Sequence, residues 1–172
     1  FASELATTLS GENFRAYTSQ DMIGVEVGGA VKNVLAIGAG LSDGLGFGAN
    51  TRIALINRGL VEMTRLGVAL GANSETFMGL AGMGDLVLTC TDDLSRNRRM
   101  GLALASGKSA ADAQEEIQQV VEGVLAAKAV KEVAEQLDVV MPICHEIYRI
   151  LYDNVDPREA VGTLMSRGLK PE

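Results

Sequence analysis

Between Asp21 and Ile37 the chain is apolar on almost every side: Ile23, Val25, Val27, Val31, Val34, Leu35 and Ile37 leave no polar face, and Gly24, Gly28 and Gly29 lie among them. The β-branched residues suit a strand, but the run is too long for one. A helix that is apolar all round is a buried helix, and its glycines call for a neighbouring backbone at close range. A chain built on such a helix has to wrap other helices around it. The glycine-dense stretch Gly38 to Gly48 is expected to break this helix, and Asn50-Thr51 to start a second long one running to about Leu70. The two are expected to pack as a central pair.

The remaining punctuation is helical too. Ser74–Leu80 and Asp85–Thr91 read as short pieces joined by Gly82 and Gly84. Ser95 caps a helix ending at Gly107, and Ser109 caps another with Asp112 in capping-box spacing. Glu122–Leu137 is amphipathic, and Pro142 opens a helix carrying His145 and Tyr152. The last helix has Asp156 as cap, Pro157 at its first position, Glu159 at its third and Gly168 as its stop. Upstream, Phe1–Gly11 reads as a short helix, and the alternation from Phe14 to Ser19 predicts a strand. The expected architecture is an all-α domain over residues 20–172, preceded by a leftover helix and strand in residues 1–19.

At 172 residues the chain can sustain one core without staples. Cys90 and Cys144 sit in apolar stretches with no CxxC pairing, which suits reduced core thiols and a cytoplasmic setting. Charges interrupt every window of roughly 18 residues, so no membrane insertion is expected. A net charge of −7 disfavours a general nucleic-acid binder, which needs a basic face. Any anion site in such a chain is local.

Three glycine clusters fail as nucleotide motifs on their spacing. After Gly38-Ala-Gly40 the third glycine of GxGxxG is replaced by Asp43; Gly79-Leu-Ala-Gly82-Met-Gly84 runs in the reverse order; and Gly107-Lys108-Ser109 has Leu102 where a P-loop needs glycine. Turns and helix ends explain them better. Lys32 says more, being the only lysine in the first hundred positions and set mid-helix among valines and glycines. A buried ammonium is costly and tends toward the neutral form, which makes it a candidate proton carrier; alternatively it reaches the surface or pairs with an acid such as Glu26 or Asp85. Asn33 beside it adds a neutral donor and acceptor.

Arg96, Arg98 and Arg99 crowd the first turn of the helix capped by Ser95, where cations oppose the helix dipole. Either a bound anion answers them, with Ser95, Asn97 and free backbone N–H groups completing a phosphate pocket, or Asp92, Asp93 and Glu115-Glu116 do. His145, the one histidine, reads as structural, so neither a metal centre nor a Ser-His-Asp set can be assembled. Glu122 stands apart from the other carboxylates, opening a helix behind Val120-Val121.

In this order, Gly24-Val-Glu-Val-Gly-Gly-Ala-Val-Lys32-Asn33-Val34, then Gly79-Leu-Ala-Gly-Met-Gly-Asp85-Leu-Val-Leu-Thr-Cys-Thr91, then Leu94-Ser95-Arg96-Asn97-Arg98-Arg99 resemble the C-terminal domain of the bacterial NAD(P)-dependent glycerol-3-phosphate dehydrogenases. The resemblance implies a 6-phosphogluconate-dehydrogenase-like C-terminal helical domain, with residues 1–19 as the last helix and strand of a Rossmann domain. It implies interconversion of glycerol 3-phosphate and dihydroxyacetone phosphate with NAD or NADP, feeding glycerophospholipid synthesis. By position it makes Lys32 the catalytic residue, with Asn33, Asp85, Ser95, Arg96 and Asn97 at the substrate and Arg96, Val120 and Glu122 at the nucleotide. Two other readings fit the pattern: a related dehydrogenase for another small acid or phosphate ester, and a non-catalytic helical module that forms a homodimer.

Overall fold

The computed structural model describes residues 1–166 and Gly168, and every regular element among them is helical. Nine α-helices follow in chain order: α1 (Ala2–Leu9), α2 (Met22–Gly44), α3 (Ala49–Ala69), α4 (Asp85–Thr91), α5 (Arg96–Ala105), α6 (Ala110–Ile117), α7 (Glu122–Gln136), α8 (Pro142–Tyr152) and α9 (Pro157–Met165). Between α3 and α4 run one 3-10 turn, Ser74–Met78, and one π turn, Leu80–Gly84.

Helix α2 is the axis, and α3, α4, α5, α7 and α8 all pack on it. Its residues from Val34 to Ser42 are buried without interruption, whereas Met22, Ile23 and Val25 near its start are exposed. The all-round apolar pattern thus marks a buried helix only in its second half. The break expected at Gly38 does not occur, since α2 runs on to Gly44. A helical glycine costs about 0.5–1 kcal/mol relative to alanine, but here the missing side chains are space that α5 fills. A Cβ on Gly40 would stand 2.0 Å from the Arg98 carbonyl oxygen, and one on Gly101 of α5 would stand 2.0 Å from that of Ile37. The partner lying closest along α2 is therefore α5, with α3 also against it.

By length and composition alone α2 could cross a membrane, with a mean hydropathy of 1.4 over 18 residues, although Lys32 interrupts every such window of the helix. Half of that window is buried inside the fold, so its apolar surface already has partners.

Helix boundaries follow the caps. Ser95, Ser109 and Asp156 each accept backbone N–H bonds from the first turn of α5, α6 and α9. Helix α9 closes at Met165 with Ser166 as its C-cap, short of the glycine expected to stop it. The strand expected over Phe14–Ser19 is absent: the segment forms no ladder, and its local bonds run from Gly11 N–H to the Phe14 carbonyl and from Ala16 N–H to the Ser10 hydroxyl. Alternation marks a half-buried extended segment, but a strand exists only with a neighbour to pair, and no described segment supplies one. Cys90 and Cys144 are free, buried thiols, as expected.

Candidate functional site

The start of α5 faces the middle of α2 across an open cleft of ≈ 470 Å³. Lys32 and Asn33 come from α2, Ser95, Arg96 and Asn97 from the start of α5, and Glu122 from the start of α7. Six of the eight residues singled out from the sequence thus line one cavity. Asp85 stands behind it, at the first position of α4, and forms an ion pair with the Lys32 ammonium. Val120 is 66 % exposed, just ahead of Glu122, and is not part of the lining.

Lys32 is not sealed in the core. Its side chain keeps 21 % of its exposure and ends on the Asp85 carboxylate, the ion pair weighed above as the alternative to a buried ammonium, and it lines the cleft. The Thr89 hydroxyl, one helical turn further along α4, donates to the Asp85 backbone carbonyl at 2.6 Å and lies 3.3 Å from the other Asp85 carboxylate oxygen. Thr89 also lines the cleft, a residue the sequence reading passed over although its i, i+4 spacing from Asp85 was visible.

A chain of amide hydrogen bonds sets the three helices against one another. The Gly123 N–H donates to Asn97 Oδ1 at 2.8 Å, Asn97 Nδ2 donates to Asn33 Oδ1 at 2.9 Å, and Asn33 Nδ2 donates to the Gly29 carbonyl at 3.1 Å. A backbone N–H can only donate, so the first bond fixes the orientation of both carboxamides. Three members of this chain follow a charged cleft residue: Asn33 follows Lys32, Asn97 follows Arg96, and Gly123 follows Glu122. A Cβ on Gly123 would lie 2.6 Å from the Asn33 carbonyl oxygen, so α7 approaches α2 this closely only with glycine there.

The three arginines divide. Arg96 Nη2 bonds Glu122 Oε1 at 2.6 Å, with the two side chains 40 % and 44 % exposed. Arg98 turns inward to Asp43 of α2 at 2.7 Å and to Asp93, while Arg52 of α3 reaches the same Asp43 oxygen at 2.6 Å. Arg99 is exposed. Acids therefore answer Arg98 as the ion-pair alternative had it, through Asp93 in particular, and Arg96 is left at the cavity. The cleft gathers an ammonium, a guanidinium, a helix N-terminus and two carboxamides, a donor set that accepts an anion bearing several acceptor oxygens.

A family model described as the NAD-dependent glycerol-3-phosphate dehydrogenase C-terminus matches residues 21–162. Among curated relatives, the glycerol-3-phosphate dehydrogenase (NAD(P)+) of Aeromonas hydrophila is 60 % identical over 173 residues, covering 100 % of this chain and 52 % of that protein. The Escherichia coli O1:K1 protein of the same name is 58 % identical, covering 100 % of this chain and 51 % of its own length. The chain spans about half the length of the curated relatives it matches. Its fold superposes on the crystal structure of glycerol-3-phosphate dehydrogenase from Coxiella burnetii with a TM-score of 0.92 at 50 % identity, over 96 % of this chain and 51 % of that one. The Saccharomyces cerevisiae enzyme gives a TM-score of 0.84 at 30 % identity, over 94 % and 48 %.

Proposed function

Since the chain belongs to the family of NAD-dependent glycerol-3-phosphate dehydrogenase C-terminal domains, we propose that it provides the substrate-binding and proton-transferring half of an enzyme that interconverts glycerol 3-phosphate and dihydroxyacetone phosphate. The observation that carries this reading is that the Lys32–Asp85 pair and the Arg96 end of α5 open on one cleft. The ester phosphate lies at the start of α5, where Arg96, Ser95 and the Asn97 carboxamide supply charge and N–H or O–H donors. The C2 oxygen lies at Lys32, with Asn33 beside it.

In the reducing direction the Lys32 ammonium gives a proton to the C2 oxygen and is left as a neutral amine; in oxidation the amine takes that proton back. Asp85 positions the Lys32 nitrogen through their ion pair. The cleft edge suits a nicotinamide nucleotide, because Arg96 and Glu122 present one cationic and one anionic group side by side and Val120 adds an exposed apolar surface next to them. NAD or NADP, when bound, supplies or accepts the hydride at C2. In this proposal residues 1–19 belong with a nucleotide-binding domain, residues 20–172 are the substrate domain, and the enzyme works in the cytoplasm. The chain has no dinucleotide fingerprint, so by itself it binds substrate without turning it over.

The test joins this chain to the half of the Aeromonas hydrophila protein that it does not cover, and follows dihydroxyacetone phosphate-dependent oxidation of NADH and NADPH. Lys32→Ala is expected to lower kcat by roughly 10²–10⁴-fold with little change in KM. Near-normal kcat in that variant would remove Lys32 from the chemistry. Arg96→Ala is expected to raise KM for dihydroxyacetone phosphate, and an unchanged KM would remove the phosphate pocket.

A further inference from the structure

Arg96 and Glu122 are each the first residue of a helix, α5 and α7, and the same field acts on them in opposite senses. A helix N-terminus stabilises the Glu122 carboxylate and opposes the Arg96 guanidinium. The guanidinium is thus the member of the pair that requires an anion, and Glu122 supplies one at 2.6 Å. The pair is preformed, because one residue further along each helix the buried bond from Gly123 N–H to Asn97 Oδ1 ties the two helix starts together. Both side chains nevertheless keep 40 % or more of their exposure and face the cleft.

We propose that Glu122 is an internal counter-ion that an incoming phosphate ester displaces from Arg96, so that this ion pair sets the affinity of the cleft for its anionic ligand. The inference rests on the phosphate pocket proposed above and adds a residue that works against binding. A phosphate offers the guanidinium a second negative charge and a two-oxygen edge matched to its N–H fork, which a single carboxylate contact does not match. An ion pair this exposed is weak, so removing the competitor is worth roughly two- to fivefold in affinity. Asp92 is the matched control: it lines the same cleft and carries the same charge, but its carboxylate accepts the Leu94 N–H at 2.8 Å and is not paired with Arg96.

The experiment titrates glycerol 3-phosphate and, separately, inorganic phosphate into the 172-residue chain by calorimetry, for the unaltered protein, Glu122→Gln, Asp92→Asn, Arg96→Ala and the double variant Arg96→Ala/Glu122→Gln. Glu122→Gln is expected to bind both anions about two- to fivefold more tightly, with a smaller gain in Asp92→Asn and none when Arg96 is also removed. Equal gains in Glu122→Gln and Asp92→Asn would overturn the inference, since a general field and not the pair would then set affinity. Binding that needs Arg96 but is unchanged or weaker in Glu122→Gln would also overturn it while leaving the phosphate pocket standing. Glycerol 3-phosphate binding that is absent, or that survives Arg96→Ala unaltered, would overturn both.

Discussion

Glu62 is a buried carboxylate on α3, 3 % exposed, whose two oxygens accept the N–H groups of Ile143 and Cys144 at 2.8 and 3.1 Å. It caps α8 from another helix, a role that Met141, the residue preceding α8, has no side-chain acceptor to fill. Burial pushes the Glu62 carboxyl above its ordinary value, and the two N–H bonds counteract this only in part. For a raised carboxylate the folded state holds its proton longer, so this group's contribution to stability falls as pH rises from about 4.5 through the folded value. Glu62→Gln is expected to flatten that dependence in denaturant melts across the acid range, and an unchanged slope would refute the assignment. Glu62→Ala strands two buried donors and is expected to cost about 1–3 kcal/mol, measured as a lowered Tm. The Cys90 thiol is pushed up to about 12, mainly by burial and despite the nearby Arg98 and Arg52 charges. Cys144 is raised well above an ordinary thiol by burial and then by the Glu62 carboxylate. Neither cysteine is expected to react with iodoacetamide at pH 8 until the chain unfolds; labelling of the folded chain would contradict the burial.

The contact of α2 with α5 is where sequence pattern and tertiary packing meet. Gly40 and Gly101 each present a backbone face that the other helix occupies. Gly101→Ala is expected to destabilise the chain by about 1–3 kcal/mol and to weaken glycerol 3-phosphate binding with it, because α5 carries Ser95, Arg96 and Asn97 into the cleft. Gly162 in α9 is the contrasting case, with nothing among the described residues within 4 Å of an added Cβ. Gly162→Ala is expected to stabilise by about 0.5–1 kcal/mol, and a loss there would show a contact that this packing lacks. Both are glycines inside helices, and the sequence alone does not tell them apart. What it does show is where helices start: Ser95, Ser109 and Asp156 were readable as caps because the bond each makes is local.

At the scale of the whole chain, Asp21 ties the start of α2 to the 3-10 turn Ser74–Met78 and its cap Asn73. Its carboxylate accepts the Gly24 N–H at 2.9 Å, the Asn73 N–H at 2.9 Å and the Thr76 hydroxyl at 2.6 Å. These bonds, that of Thr76 foremost, hold its carboxyl below its ordinary value. The sign is opposite to that of Glu62: the stabilisation is complete above the unfolded carboxylate range and is lost as pH falls through the folded value. Asp21→Ala is expected to lower stability at neutral pH and to make acid unfolding less steep; an acid limb identical to the parent would show that Asp21 does not carry it. The all-helical class, the site of the buried axis, the caps, and Lys32 and Arg96 as out-of-place cations were determined by the sequence itself. Each rests on periodicity, on a local bond or on a charge whose cost is set by its immediate neighbours. The tertiary structure decided between the acids named for Lys32, which meets Asp85 at a separation of 53 residues and not Glu26, and it alone decided that Arg96 meets Glu122 at 26. It also decided that Glu62 caps a helix 81 residues away, that glycines within α2 continue the helix where they were expected to end it, and that Phe14–Ser19 forms no strand. The reason is common to all of these: a pairing energy depends on distance in space, and chain positions far apart carry no local record of which groups folding brings into contact.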